Sequence, residues 1–145
     1  MKQTDRAVQL LLPEIQGKWV LEPACGTGAF SLSASPYAAH VDCIDLDPHR
    51  LNQEVLNRQD LSFRQMDAGN MDFADEAFDT VVFYNALFHI KDQWPEILAE
   101  CRRVLKPGGK ILILGSWKLD VSLMEEMFGD QVRQADSFNI VEILK

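Results

Sequence analysis

The chain has 145 residues, 47% of them hydrophobic and 25% charged, a composition that fits one packed domain and excludes low-complexity disorder. No apolar run nears the ~18 residues of a membrane span, the short stretch before Pro13 makes a poor secretory signal, and three widely spaced cysteines without a CxxC pair offer neither a metal site nor a disulfide framework. A net charge of −8 opposes phosphate backbones, so the expectation is a cytoplasmic domain, residues 1–145, with no nucleic-acid or membrane partner.

In chain order, residues 4–12 suit a short helix ending before Pro13, and Lys18 to Leu21 a first strand. Glycines then open a helix reaching about residue 34, where Pro36 stops it. Ala39 to Ile44 reads as a second strand. Asp47-Pro48 is a helix start, since the Asp oxygen caps free amides and proline in the first turn loses no needed donor; that helix is expected to run to about Asn57. A short strand follows at Leu61 to Gln65, then a polar loop, then a strand from Asp79 to Tyr84.

From Gln93 to Leu105, the residues Trp94, Ile97, Leu98, Cys101, Val104 and Leu105 recur at three- and four-residue spacing, the stripe of an amphipathic helix. Arg102, Arg103 and Lys106 complement the carbonyl end of that helix, and Pro107-Gly108-Gly109 turns the chain into a fifth strand, Lys110 to Leu114. A helix near Val121 to Phe128 and a hairpin, Gln131 to Gln134 with Phe138 to Leu144, complete the chain. Strands alternating with helices imply an α/β fold with parallel strands covered on both faces.

Val20-Leu21-Glu22-Pro23-Ala24-Cys25-Gly26-Thr27-Gly28-Ala29-Phe30-Ser31 runs from a strand into a helix, the place where open parallel sheets bind ligands. Ser31 occupies the position of the third glycine in a dinucleotide fingerprint, and the Gly-Lys-Ser/Thr ending of a P-loop is absent. Glu22 beside the loop repels a pyrophosphate and attracts a ligand carrying an ammonium and a sulfonium. Asp45, 17 positions after Gly28, stands after the second strand, where a carboxylate accepts hydrogen bonds from ribose hydroxyls. Because Asp47 supplies the helix cap, Asp45 has no evident structural task. Asp67-Ala68, after the third strand, offers an acceptor for an exocyclic amine and a backbone donor for a ring nitrogen; the alternative is a polar turn.

Together these segments resemble the class I S-adenosylmethionine-dependent methyltransferases. Glu22-Pro23-Ala24-Cys25-Gly26-Thr27-Gly28 is similar to their first motif and Cys43-Ile44-Asp45-Leu46-Asp47-Pro48 to their second. Asp67-Ala68-Gly69-Asn70-Met71-Asp72-Phe73 and Ala77-Phe78-Asp79-Thr80-Val81-Val82 resemble the third and fourth. Arg103-Val104-Leu105-Lys106-Pro107-Gly108-Gly109-Lys110 resembles the turn before their fifth strand.

The resemblance, over about residues 18–117, implies a doubly wound, Rossmann-like seven-stranded sheet of order 3-2-1-4-5-7-6, its last strand antiparallel. It implies S-adenosylmethionine as cofactor, with Ala24, Cys25, Gly26, Thr27 and Gly28 around the methionine moiety and Glu22 serving its amino group. Asp45 would hold the ribose, Leu46 pack on the adenine, Asp67 and Ala68 read its edge, and Asn85 offer a backbone carbonyl to the amino group. No Asn/Asp-Pro-Pro-aromatic motif follows the fourth strand, where Tyr84-Asn85-Ala86-Leu87 stands, which argues against methylation of nucleobase amines; the acidic charge and the lack of a basic patch favour a small-molecule acceptor.

His89 is the one histidine expected near the transferred methyl, although a structural role competes; His40 and His49 read as structural or solvated, and Trp94, Phe73 and Phe78 as core. About 17 residues precede the first strand and no long insertion follows the fifth, so a second copy or a partner subunit is expected to complete the pocket. Two alternatives stay open: a non-catalytic binding module on this fold, and a nicotinamide-dependent oxidoreductase, against which Ser31 and Glu22 count.

Overall fold

The structure, a computed structural model, describes residues 1–145. Seven strands form one sheet: β1 (Trp19–Glu22), β2 (His40–Asp45), β3 (Leu61–Gln65), β4 (Phe78–Tyr84), β5 (Leu105–Gly115), β6 (Arg133–Ala135) and β7 (Phe138–Leu144). Their order is β3-β2-β1-β4-β5-β7-β6. The pairs among β1 to β5 are parallel, while β7 runs antiparallel to β5 and β6. The expected sheet is therefore present, and the terminal hairpin supplies its last two strands.

The helices are α1 (Gln3–Leu10), α2 (Leu12–Ile15), α3 (Ala29–Ala34), α4 (Leu87–Ile90), α5 (Trp94–Val104) and α6 (Lys118–Phe128). Alternation along the strands sends side chains to two cores. Val81, Phe83, Ile111 and Ile113 face α4, α5 and α6 with Leu87, Trp94, Ile97 and Met124. Val20, Val41, Val82 and Leu112 face α1 and α3 with Val8, Phe30 and Ala34. Strands apolar on both faces are what a parallel sheet sandwiched by helices requires. No helix is long and apolar enough to cross a membrane.

Several elements differ from the sequence expectation. Pro13 does not end the first helix but sits in the first turn of α2, where a missing N–H costs nothing. The helix expected from Asp47 to Asn57 is two 3-10 turns, Pro48–Arg50 and Gln53–Asn57, with Leu51 and Asn52 extended between them. Asp47 does cap the first turn, accepting from the His49 amide at 2.9 Å, but Asn52 caps the second in the same way, through the Glu54 amide at 2.9 Å. Two successive side-chain caps thus hold the backbone out of a continuous helix.

β5 begins at Leu105, five residues before the expected Lys110, because Leu105 already pairs with Phe78. The next pair is Thr80 with Lys110, so Pro107-Gly108-Gly109 forms a bulge inside the strand rather than a loop ahead of it. Gly109 is required there: a Cβ would stand 2.9 Å from the carbonyl oxygens of both Asp79 and Lys106.

At the middle of the sheet, β1 and β4 are joined through only Val20↔Thr80 and Leu21↔Val81. Here the connections change direction across the sheet, and the strands part beyond Leu21 and Val81. That parting opens a crevice at their carboxyl ends, the topological switch point of a doubly wound sheet.

Candidate active site

A cavity of about 400 Å³ fills this crevice, within the ~300–1,000 Å³ typical of small-molecule sites. Its wall includes Glu22, Ala24, Cys25, Gly26, Thr27, Asp45, Leu46, Asp67, Ala68 and Asn85, so the residues singled out from sequence come together with one exception. Gly28 stands outside this wall. It caps α3 with φ of +80°, and a Cβ on it would lie 2.8 Å from Val55 Cγ2 and 3.3 Å from Leu51 Cδ1. Its smallness lets the 3-10 segment pack on the loop, and it does not line the cavity.

Three carboxylates end three adjacent strands. Glu22 closes β1, is buried, and accepts a 2.6 Å hydrogen bond from Ser31 Oγ. Burial pushes its carboxyl well above the usual carboxylate range, against the lowering effect of Ser31. The departure of Ser31 from a glycine-rich fingerprint therefore has a structural reason, since its hydroxyl holds Glu22 in place. Tyr84, stacked on Phe30 at 5.7 Å, also faces this corner; partial burial and then the charge of Glu22 raise its hydroxyl.

Asp45 ends β2 and is busier than its sequence suggested. Oδ2 accepts from the Gly26 amide at 2.8 Å and Oδ1 from the Asp47 amide at 2.9 Å. One side chain thus ties the β1 loop to the β2 loop, correcting the expectation that Asp45 has no structural task. Each oxygen keeps a lone pair for a further donor. Asp67 follows β3, and its Oδ1 accepts from the Gly69 amide at 2.8 Å, so it is both the polar turn and a cavity carboxylate. The neighbouring Ala68 amide donates to no acceptor within the chain, and the Asn85 carbonyl accepts from none.

Gln65 Nε2 donates to the Leu46 carbonyl at 2.9 Å, orienting Leu46 at the rim, where its side chain is 59% exposed. Asp47 adds a fourth carboxylate to the lining, and Arg50 is its one lysine or arginine. The wall is therefore suited to a ligand with positive charge. Cys25 and Cys43 are free and buried, and the neighbouring Cys43 thiol, burial and the nearby carboxylates raise the Cys25 thiol, an environment that keeps it protonated. The side chains present no group of three or more metal-ligating residues.

Sequence reasoning missed the far flank of the cavity. His89 does line it, exposed on α4, but so do Tyr84, Ile90, Gln93, Ile97 and Trp117. Ile97 was signalled as core by the stripe of α5. Trp117 carried no signal beyond its place after the fifth strand. His40 bonds Ser62 Oγ at 3.1 Å and lies away from the site, His49 is exposed against Asp47, and Trp94 and Phe78 are core.

Residues 21–113 match the model of a methyltransferase domain family. The chain is 34% identical over 118 residues to a phthiotriol/phenolphthiotriol dimycocerosates methyltransferase of Mycobacterium leprae, covering 73% of this chain and 43% of that protein. It is 33% identical over 115 residues to a demethylmenaquinone methyltransferase of Thermotoga maritima, covering 78% of this chain and 49% of the relative. A SAM-dependent methyltransferase from Aquifex aeolicus superposes with a TM-score of 0.75 at 17% identity, over 97% of this chain and 88% of that one. The last likeness is one of fold. The chain belongs to the class I S-adenosylmethionine-dependent methyltransferase family, which sets aside the nicotinamide alternative. It spans about half the length of these curated relatives.

Proposed function

We infer that this domain binds S-adenosylmethionine and transfers its methyl group to a small-molecule acceptor. The observation that carries the reading is the row of carboxylates at the ends of β1, β2 and β3 around one cavity. Glu22 meets the amino group of the methionine moiety, Asp45 the ribose hydroxyls, and Asp67 with the Ala68 amide the adenine edge. These acids would favour the positive sulfonium of a cofactor held there. The named activities of the relatives, on quinone and lipid substrates, support an acceptor that is small and not a nucleic acid.

In the reaction, an electron pair of the acceptor forms a bond to the methyl carbon while the carbon–sulfur bond breaks. The bonding pair stays on sulfur as a neutral thioether. An acceptor that carries a proton at the attacking atom gives it up to solvent or to a nearby base, for which His89 is the candidate on this wall. The chain's larger contribution is alignment of nucleophile, carbon and sulfur in a partly dry site.

Calorimetry with S-adenosylhomocysteine tests the reading. Asp45→Ala should weaken binding by about 1.5–3 kcal/mol, the worth of a hydrogen bond to a charged partner. A wild-type protein without affinity for either the cofactor or its demethylated product would end it. Labelled methyl transfer from the cofactor into fractions of a cell extract would then identify the acceptor.

A further inference from the structure

The strand order divides the cavity. Asp45 and Asp67 stand at the β2 and β3 ends, Glu22 at the β1 end, and the β4 and β5 ends lie beyond it. From β2 to β5 is three strand spacings, about 14 Å at ~4.8 Å each. A cofactor whose adenosine is held by Asp45 and Asp67 and whose amino group is held by Glu22 occupies the first part of that span. What it leaves is the flank under β4 and β5, and Trp117 stands there, two residues beyond the end of β5, 53% exposed and part of the cavity wall.

Single exposed apolar side chains are ordinary, but Trp117 is held in a specific way. Asn85, at the end of β4 with φ of +48°, accepts through Oδ1 from the Ser116 amide at 2.8 Å and the Trp117 amide at 3.2 Å. Its Nδ2 donates to Ser116 Oγ at 3.0 Å. In return, the buried Asp120 of α6 accepts from the Leu87 and Phe88 amides of α4, at 3.3 and 3.0 Å. The β4–α4 and β5–α6 turns thus clasp each other reciprocally. A left-handed non-glycine residue and a buried carboxylate are costly features, and both serve to fix these two turns. No carboxylate lines the cavity on this side, where Tyr84, Ala86 and Ile90 also contribute to the wall.

Resting on the cofactor reading above, we propose that Trp117 is the acceptor platform of this domain, its indole receiving a flat, uncharged, unsaturated ring beside the methyl donor. Asn85 and Asp120 are positioning residues for it. The ring face supplies area and stacking without demanding a particular polar pattern, which suits an acceptor recognised by shape and apolarity. It also makes Trp117 a determinant of acceptor choice rather than of cofactor affinity.

Equilibrium dialysis of 2,3-dimethyl-1,4-naphthoquinone against protein saturated with S-adenosylhomocysteine tests this. The fully substituted ring does not alkylate thiols. Wild type is expected to retain the quinone, Trp117→Ala to bind it about tenfold more weakly, and Trp117→Phe to stay within about threefold of wild type. Affinity for S-adenosylhomocysteine should hold within about twofold in both variants, which also reports that they fold. Equal quinone binding by Trp117→Ala and wild type, or none by wild type carrying the nucleoside, overturns the platform while leaving the cofactor reading intact. Failure of wild type to bind the nucleoside overturns both.

Discussion

Glu22 carries opposed demands. Burial disfavours its charge, whereas a ligand ammonium requires it. Its folded carboxyl titrates above the ordinary value of 4.5, so the unfolded chain releases this proton first as pH rises. The stabilising contribution is full below 4.5 and is lost as pH climbs through the raised folded value. Glu22→Gln should therefore flatten the pH dependence of the ligand-free melting temperature over that window and raise it at the alkaline end. The same variant should lose cofactor affinity. Thermal melts between pH 5 and 9 would check the first, calorimetry the second; a Gln variant with the wild-type pH profile would remove the buried carboxyl as its source. Asp45 and Glu22 stood out in the sequence because acids beside a glycine loop have few other uses. The side-chain bonds of Ser31, Asn85 and Asp120 were not legible there, since the partners lie 9, 31 and 33 positions away, respectively, and only the fold brings them together.

Among the elements, those defined by local pattern were legible and those defined by competition were not. The stripe of α5 and the apolar runs of β2 to β4 fixed themselves within two residues, because packing and periodicity agree there. The segment after Asp47 failed as a helix because a second cap at Asn52 competes with it, and the Pro-Gly-Gly turn became a bulge because Leu105 found a partner in Phe78. Gly28 is the seam between loop and 3-10 segment. Gly28→Ala should cost about 1–3 kcal/mol through overpacking and a left-handed backbone, measurable by urea denaturation; a neutral result would mean that Val55 moves aside.

Arg103 performs a comparable task for the loop after β3. From α5 it reaches the Met71 and Phe73 carbonyls at 3.0 and 2.8 Å, and Asp75 and Glu100 at 2.8 Å. Arg103→Lys keeps the charge but loses the fork of donors. It should destabilise the fold by roughly 1–3 kcal/mol and loosen the Asp67 turn, seen as weaker cofactor binding. Equal stability of the Lys variant would show that charge alone suffices.

For the protein as an assembly of two cores about one sheet, cofactor and fold are thermodynamically linked. At a hundredfold excess of S-adenosylhomocysteine over its Kd, linkage adds about 2.7 kcal/mol. For a chain of this length that is a rise of roughly 5–10 °C in Tm. Scanning calorimetry with and without the nucleoside would measure it, and an unshifted transition would contradict binding at this site.

The slender join of β1 to β4 has a mechanical meaning. Its ladder ends at Leu21 and Val81, so beyond those residues the acids on one flank and Trp117 on the other face each other with no backbone rung between them. A molecule lying from Asp67 to Asn85 would act as the missing rung, and slower amide deuteration at Leu21 and Val82 once it is seated would be the trace of a sheet stiffened by its own guest.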